Sequence, residues 1–119
     1  DAVRALKPDF DAMQGLKLGV VAPWSEAEAE AGADGAGDTP QFEVRAFVPM
    51  LGVPEDPVTG SLNAGLAQWL IGAGLAPERY LARQGHMLGR DGQVHVMKLG
   101  DDVWIGGDVV TCVSGTVEL

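Results

Sequence analysis

Residues 62–72 form the segment that most constrains what this chain can fold into. A helix built from them carries apolar side chains on every face, and its only polar side chains are Asn63 and Gln68. Such a helix must be covered on every side. The chain has 119 residues, enough for one modest core, so the cover must come from its own strands. We therefore expect an α/β (α+β) fold, with a curved mixed sheet wrapped around a central buried helix.

The rest of the chain predicts the elements of a single domain over residues 1–119. Apolar alternation and β-branched runs predict strands, and these cover residues 18–22, 42–48, 93–99, 103–105, 109–113 and 116–119, with a hairpin formed by 93–99 and 103–105. Two helical pieces are expected at residues 3–6 and 8–16. Residues 25–40 are rich in Ala, Glu, Gly and Asp without a period, which predicts an acidic surface loop of a composition typical of disorder.

The charge balance excludes several classes of partner. Eight basic and 17 acidic residues give a net charge of −9, so a phosphate backbone or an anionic bilayer would repel the surface. No stretch has the composition of a membrane span or a leader, and we expect an unexported, cytoplasmic protein. The single cysteine, Cys112, is expected in the core, and no Cys/His spacing indicates a metal site.

Residues 55–61 are the most informative segment for function, and we call them the signature turn. They precede the apolar helix, whose first backbone N–H groups lack internal partners and favour a carboxylate or phosphate. Gly60 would let a ligand approach closely, Thr59 and Ser61 add hydroxyls, and Asp56 could exchange a proton with that ligand. The same residue types are also favoured in any tight turn and helix N-cap, so both interpretations stay open.

Other chemistry-bearing residues have simpler interpretations. Ser61 lacks the Gly-x-Ser-x-Gly pattern of a nucleophile. We interpret His86 as a loop residue and His95 as a strand-surface residue rather than as a metal pair. The tryptophans are scattered and are interpreted as packing residues, namely Trp24, Trp69 and Trp104.

Four motifs in a fixed order resemble the C-terminal half of the PhzF-like isomerase family, which is named for phenazine biosynthesis and shares the diaminopimelate epimerase fold. The resemblance covers residues 45–119 well, and residues 1–23 less specifically. The motifs are Arg45-x-Phe47-x-Pro49, Glu55-Asp-Pro-Val-Thr-Gly-Ser61 before an apolar helix, Gln84-Gly85 with Gly89-Arg90, and Val103-Trp-Ile-Gly-Gly107.

This resemblance implies one lobe of a two-lobed isomerase or epimerase that uses no cofactor and no metal. Asp56 would assist proton transfer on a small carboxylic acid that Thr59, Gly60 and Ser61 bind. Gln84 and Gly85 would also serve as cleft or supporting residues. The family's acid/base glutamate belongs to an N-terminal lobe, so this chain alone is expected to be inactive and to need that lobe from the same or another chain.

Other interpretations stay open beside the enzyme lobe. One is a non-catalytic module that binds small anions or has a structural role, and another is a fragment of a longer protein. The resemblance also implies a homodimer, and neither nucleic acid nor a membrane is expected as a partner.

Overall fold

A computed structural model describes residues 2–13, 15–25, 27, 29 and 39–118. The strands within these residues are β1 (Leu18–Pro23), β2 (Pro40–Phe47), β3 (Glu55–Asp56), β4 (Arg79–Gln84), β5 (Gly92–Leu99) and β6 (Asp102–Gly106), and the long helix is α1 (Gly60–Gly72). Single 3-10 turns follow β2 at Pro49–Leu51 and β4 at His86–Leu88. The predicted strands at 18–22 and 42–48, the helix and the hairpin are confirmed.

The strands form one mixed sheet in the order β1-β2-β4-β5-β6. β2 and β4 are parallel, and the other neighbours are antiparallel. The short β3 pairs with Ala46 and Phe47 at the end of β2, on the edge that β4 leaves free. Because parallel neighbours need a crossover, the chain passes from β2 through β3 and α1 before it enters β4. The signature turn therefore lies beside the last residue of β4.

One face of the sheet packs against α1. Phe42 and Tyr80 meet edge to face at 5.0 Å between ring centroids, and Ala67 and Leu70 of the helix are buried against the same face. The helix is not covered on every side, however, since Trp69 is 58% exposed. The fold is the expected mixed α+β class. The expected enclosure of the whole helix is wrong, because the sheet covers only one of its faces. The packing roles expected for Trp69 and Trp104 are also wrong, since both side chains are more than half exposed.

The opposite face of the sheet carries buried charge. Arg45 and Glu55 form a two-pronged ion pair, with both nitrogen–oxygen distances at 2.8 Å. Arg45 also donates to the carbonyl oxygens of Val3 and Leu6, at 3.1 and 2.8 Å. These bonds hold the N-terminal residues against the sheet as turns. The helices predicted at 3–6 and 8–16 are therefore wrong over their described residues.

Residues 107–118 follow β6 without regular structure. Their valines are almost fully exposed, from 78% at Val117 to 91% at Val113, and Cys112 is exposed as well. The strands predicted at 109–113 and 116–118, and the core position of Cys112, are therefore wrong. A β-branched run forms a strand only where a neighbouring strand offers hydrogen bonds. Leu119 lies outside the described residues.

Most of the acidic loop predicted over residues 25–40 also lies outside the described residues, and its last residue, Pro40, begins β2. No helix among the described residues combines the length and the apolar character needed to cross a bilayer.

Candidate functional site

The signature turn joins β3 directly to α1. Thr59 is the N-cap residue, with an extended backbone (φ −126°, ψ 101°), but its side chain makes no capping bond to the helix. The first backbone bond of the helix runs from Asn63 N–H to the Thr59 carbonyl at 3.1 Å. The N–H groups of Gly60 and Ser61 therefore lack intrahelical partners and are available to a ligand.

The hydroxyl of Thr59 instead donates to Oδ2 of Asp56 at 2.8 Å. Asp56 is partly buried at the end of β3, where the ladder with β2 fixes its backbone. The carboxylate is thus held immediately before the positive end of the α1 dipole. This contact is not an N-cap bond, in which the threonine oxygen would accept from a helix N–H, but a side-chain bond three residues apart is also compatible with a tight turn that binds no ligand.

Gln84 ties the signature turn to the end of β4. Its Oε1 accepts from Thr59 N–H at 3.1 Å, and its Nε2 donates to the Asp56 carbonyl at 2.9 Å and to Thr59 Oγ1 at 3.0 Å. A second amide, that of Asn63, donates to Gln84 Oε1 at 2.8 Å and to the Thr59 carbonyl at 2.9 Å. Nothing in the sequence marks Asn63 as a site residue, because one polar residue in an apolar helix is not a distinct pattern.

Gly85 allows the next segment to approach the signature turn closely. Its φ is +88°, and a Cβ atom placed there would lie 2.6 Å from the Pro57 carbonyl oxygen and 3.0 Å from Arg90 Cβ. Both features require glycine at this position. At Gly60, by contrast, a Cβ would have open space around it, as expected if a ligand is to approach the helix there.

Two cavities flank the start of α1. The larger, of about 440 Å³, lies toward β5 and β6 and is lined by Val58, Gly60, Asp91, Gly92, Gln93, Val94, Ile105, Gly106, Gly107 and Asp108. The smaller, of about 240 Å³, lies toward β1 and is lined by Lys17, Leu18, Gly19, Ala46, Val48, Thr59, Ser61 and Leu62. Gly106 and Gly107, at the end of β6, belong to one of the sequence motifs, whereas no motif includes Asp91 or Asp108.

All six predicted site residues thus lie around one turn. Asp56, Thr59 and Gln84 are joined by hydrogen bonds, Gly85 packs against Pro57, and Gly60 and Ser61 begin the helix. The two histidines are elsewhere, with His95 exposed on β5 and His86 beside Glu43 on the opposite face. Across the described part of the chain, no three His, Cys, Asp or Glu side chains are grouped as metal ligands.

Comparison with known proteins identifies the family. Residues 1–115 match the PhzC-PhzF family, described as phenazine biosynthesis-like protein. An uncharacterised isomerase of Deinococcus radiodurans is 37% identical over an alignment of 101 residues, which covers 79% of this chain and 30% of that protein. An uncharacterised isomerase of Pseudomonas aeruginosa is 35% identical over an alignment of 123 residues, which covers 100% of this chain and 41% of that protein.

The fold agrees with this match. The crystal structure of a phenazine biosynthesis protein PhzF family member from Enterococcus faecalis superposes with a TM-score of 0.62 and 29% identity. The superposition covers 87% of this chain and 35% of that one, so the chain spans well under half the length of the relatives it matches. With its sequence and its fold in agreement, the chain belongs to the PhzC-PhzF family of phenazine biosynthesis-like proteins.

Proposed function

We propose that this chain is the C-terminal lobe of a cofactor-independent isomerase or epimerase that moves a proton on a small carboxylic acid. One observation carries the proposal: the Asp56 carboxylate, held by Thr59 at 2.8 Å, stands immediately before an uncapped helix N-terminus whose first residue, Gly60, lines a cavity of about 440 Å³. The names of the two bacterial relatives, both isomerases, support the reaction class.

The substrate carboxylate would bind at the start of α1. The N–H groups of Gly60 and Ser61 and the helix dipole favour a negative group there, and the Ser61 hydroxyl adds a donor. Asp56 would then give a proton to a substrate carbon or take one from it, acting as one partner of an acid/base pair.

The second partner of that pair would come from an N-terminal lobe. A proton shift between two positions needs one group that removes the proton and one that delivers it. Glu55 does not fill this role, because its carboxylate is paired with Arg45 on the far side of β3. The greater length of the relatives leaves room for such a lobe, in the same chain or in another. Homodimeric assembly and a cytoplasmic location remain parts of this proposal.

The test combines this chain with a partner lobe. The N-terminal part of the Pseudomonas aeruginosa relative, which this chain does not cover, is co-expressed with it, and deuterium uptake from D2O into a panel of small carboxylic acids is followed by NMR. Uptake by the pair and none by this chain alone is expected. Uptake by this chain alone would contradict the need for a second lobe, and none by the pair on any acid would contradict the lobe's proposed role.

A non-catalytic anion-binding module is the second candidate, because the uncapped helix start can bind a carboxylate without any base. Calorimetry with small carboxylates separates the two. Under this candidate the parent chain binds, Gly60→Val abolishes binding by filling the open space at that position, and no lobe produces deuterium uptake. Absence of binding by the parent chain would rule this candidate out.

A further inference from the structure

Asn63 of α1 and Gln84 of β4 bury two side-chain amides together beneath the signature turn. Each residue is 1% exposed, and the two amides are joined by a 2.8 Å bond from Asn63 Nδ2 to Gln84 Oε1. A polar group buried without hydrogen-bond partners destabilises the fold. Two buried amides are therefore stable together only if each donor faces an acceptor. This requirement fixes the direction of each bond, that is, which group donates and which accepts.

The backbone fixes that direction at Gln84. Its Oε1 lies 3.1 Å from the Thr59 N–H, which can only donate, and its Nε2 lies 2.9 Å from the Asp56 carbonyl, which can only accept. If the oxygen and nitrogen of the Gln84 amide exchanged places, the NH2 group would face the Thr59 N–H and the oxygen would face the Asp56 carbonyl oxygen. Asn63 is fixed in the same way, because its Nδ2 donates to the Thr59 carbonyl at 2.9 Å.

The orientation of the Gln84 amide in turn fixes how the Thr59 hydroxyl bonds. Gln84 Nε2 donates to Thr59 Oγ1 at 3.0 Å, so the hydroxyl acts as the acceptor on that side. Its own hydrogen is left for Oδ2 of Asp56, at 2.8 Å. The bonds thus run one way, from Asn63 to Gln84 and from Gln84 through Thr59 to Asp56.

We propose that Asn63 and Gln84 are positioning residues that make Oδ2 of Asp56 a permanent acceptor and leave Oδ1 as its proton-exchanging oxygen. A proton on Oδ2 would oppose the Thr59 hydrogen, so the orientation of the amides selects which oxygen carries it. Under this proposal Gln84 and Thr59 act through Asp56 rather than on substrate. The role in proton exchange rests on the proposed function, whereas the fixed direction of the bonds does not.

Whether the Thr59 and Gln84 bonds persist in solution is measured by NMR on the full chain. In the parent protein, the Thr59 hydroxyl proton and the Gln84 side-chain amide are expected to exchange with water about tenfold or more slowly than exposed Thr111 and Gln68. Exchange as fast as at those exposed residues would overturn the proposal, and this measurement needs no variant that must fold.

Gln84→Glu provides the mutational arm. The substitution places an oxygen where Nε2 donated, so the Thr59 hydroxyl should turn toward it and release Asp56, shifting the Asp56 carboxyl carbon resonance. The matched control is Gln68→Glu, an identical change on the exposed side of α1, which should leave that resonance in place. A folded Gln84→Glu protein with an unshifted Asp56 carboxyl resonance would overturn the proposal.

These readouts need no turnover. If Asp56 proves dispensable for deuterium uptake, the proposed function fails while the direction of the bonds stands. If the Thr59 hydroxyl exchanges freely while Asp56 is still required for uptake, only the positioning role fails. In the reconstituted enzyme, positioning predicts that Asn63→Asp lowers kcat more than it changes KM, and a change confined to KM would contradict it.

Discussion

The Thr59 hydroxyl and the Asp56 carboxylate form a 2.8 Å hydrogen bond within the signature turn, where an ordinary N-cap threonine would bond to its own helix. Thr59→Val keeps the shape of the side chain but leaves Asp56 Oδ2 and Gln84 Nε2 without this partner. We expect the free energy of unfolding to fall by about 1–2 kcal/mol. Urea unfolding measures the loss, and Thr59→Ser, which keeps the hydroxyl, should show little of it. Equal losses in the two variants would contradict the account.

Gly85 and Gly89 flank the same 3-10 turn with positive φ, but only Gly85 touches the signature turn. Alanine at either position should lower the free energy of unfolding by about 1–2 kcal/mol, because its Cβ disfavours the left-handed backbone. Gly85→Ala also forces a Cβ toward the Pro57 carbonyl, which adds about 1–3 kcal/mol. Urea unfolding of the two variants isolates the contact with Pro57, and similar losses would show that Gly85 does not support the turn.

Arg45 and Glu55 form a buried ion pair, with side chains 5% and 6% exposed. The hydrogen bonds that Arg45 donates to Glu55 raise the pKa of Arg45 above its ordinary value. Because a guanidinium is charged at neutral pH even without such a partner, removing Glu55 leaves a buried, unpaired positive charge. Glu55→Ala should therefore cost about 3–5 kcal/mol of unfolding free energy. The control is Asp91→Ala, which breaks a 2.9 Å pair with Arg83 that is exposed on the aspartate side and should cost under about 1 kcal/mol. Comparable losses would contradict the structural role of the buried pair.

Glu43 is a buried carboxyl on the same face of the sheet. Burial raises its pKa above the ordinary value of 4.5, although the nearby charges of His86 and Arg4 act in the opposite direction. Trp24 donates to its Oε2 at 3.1 Å, and its Oε1 has no partner among the described residues. The folded state therefore holds this proton more tightly than the unfolded state, and ionised Glu43 destabilises the fold above its raised pKa.

Glu43→Gln should consequently raise the free energy of unfolding at neutral and higher pH. The gain should shrink as the pH falls through the raised pKa toward 4.5, where Glu43 is protonated in the folded protein. Urea unfolding at several pH values measures this dependence, with exposed Glu78→Gln as control. A gain that did not change with pH would mean that the carboxyl charge is not its source.

Local patterns in the sequence predicted several strands of the sheet but not β4, which pairs with both β2 and β5. Alternation and turns predicted β1, β2 and the β5-β6 hairpin, because their burial depends on near neighbours in the sheet. The same patterns failed at residues 109–113, where valines have no strand to pair with in the described structure. The apolar composition of α1 likewise predicted a helix covered on every side, whereas the structure covers only one face.

The sequence predicted which residues form the candidate site, but not the hydrogen bonds that join them. The signature turn indicated Asp56 and the helix start, because every helix N-terminus has unpaired N–H groups and the start of a helix can be recognised from local sequence. The partnership of Asn63 with Gln84 joins residues 21 positions apart in different elements, and no local pattern carries such a pairing. Only the parallel crossover from β2 to β4 brings the two amides together.

The central claim is that Asp56 transfers a proton to or from a bound carboxylic acid. Its most direct test is the rate of deuterium uptake by an acid that the reconstituted protein accepts, compared between Asp56→Asn and the exposed charge-matched control Asp101→Asn. We expect the uptake rate to fall about 100-fold or more in Asp56→Asn and to change little in Asp101→Asn. Undiminished uptake by folded Asp56→Asn protein would contradict it.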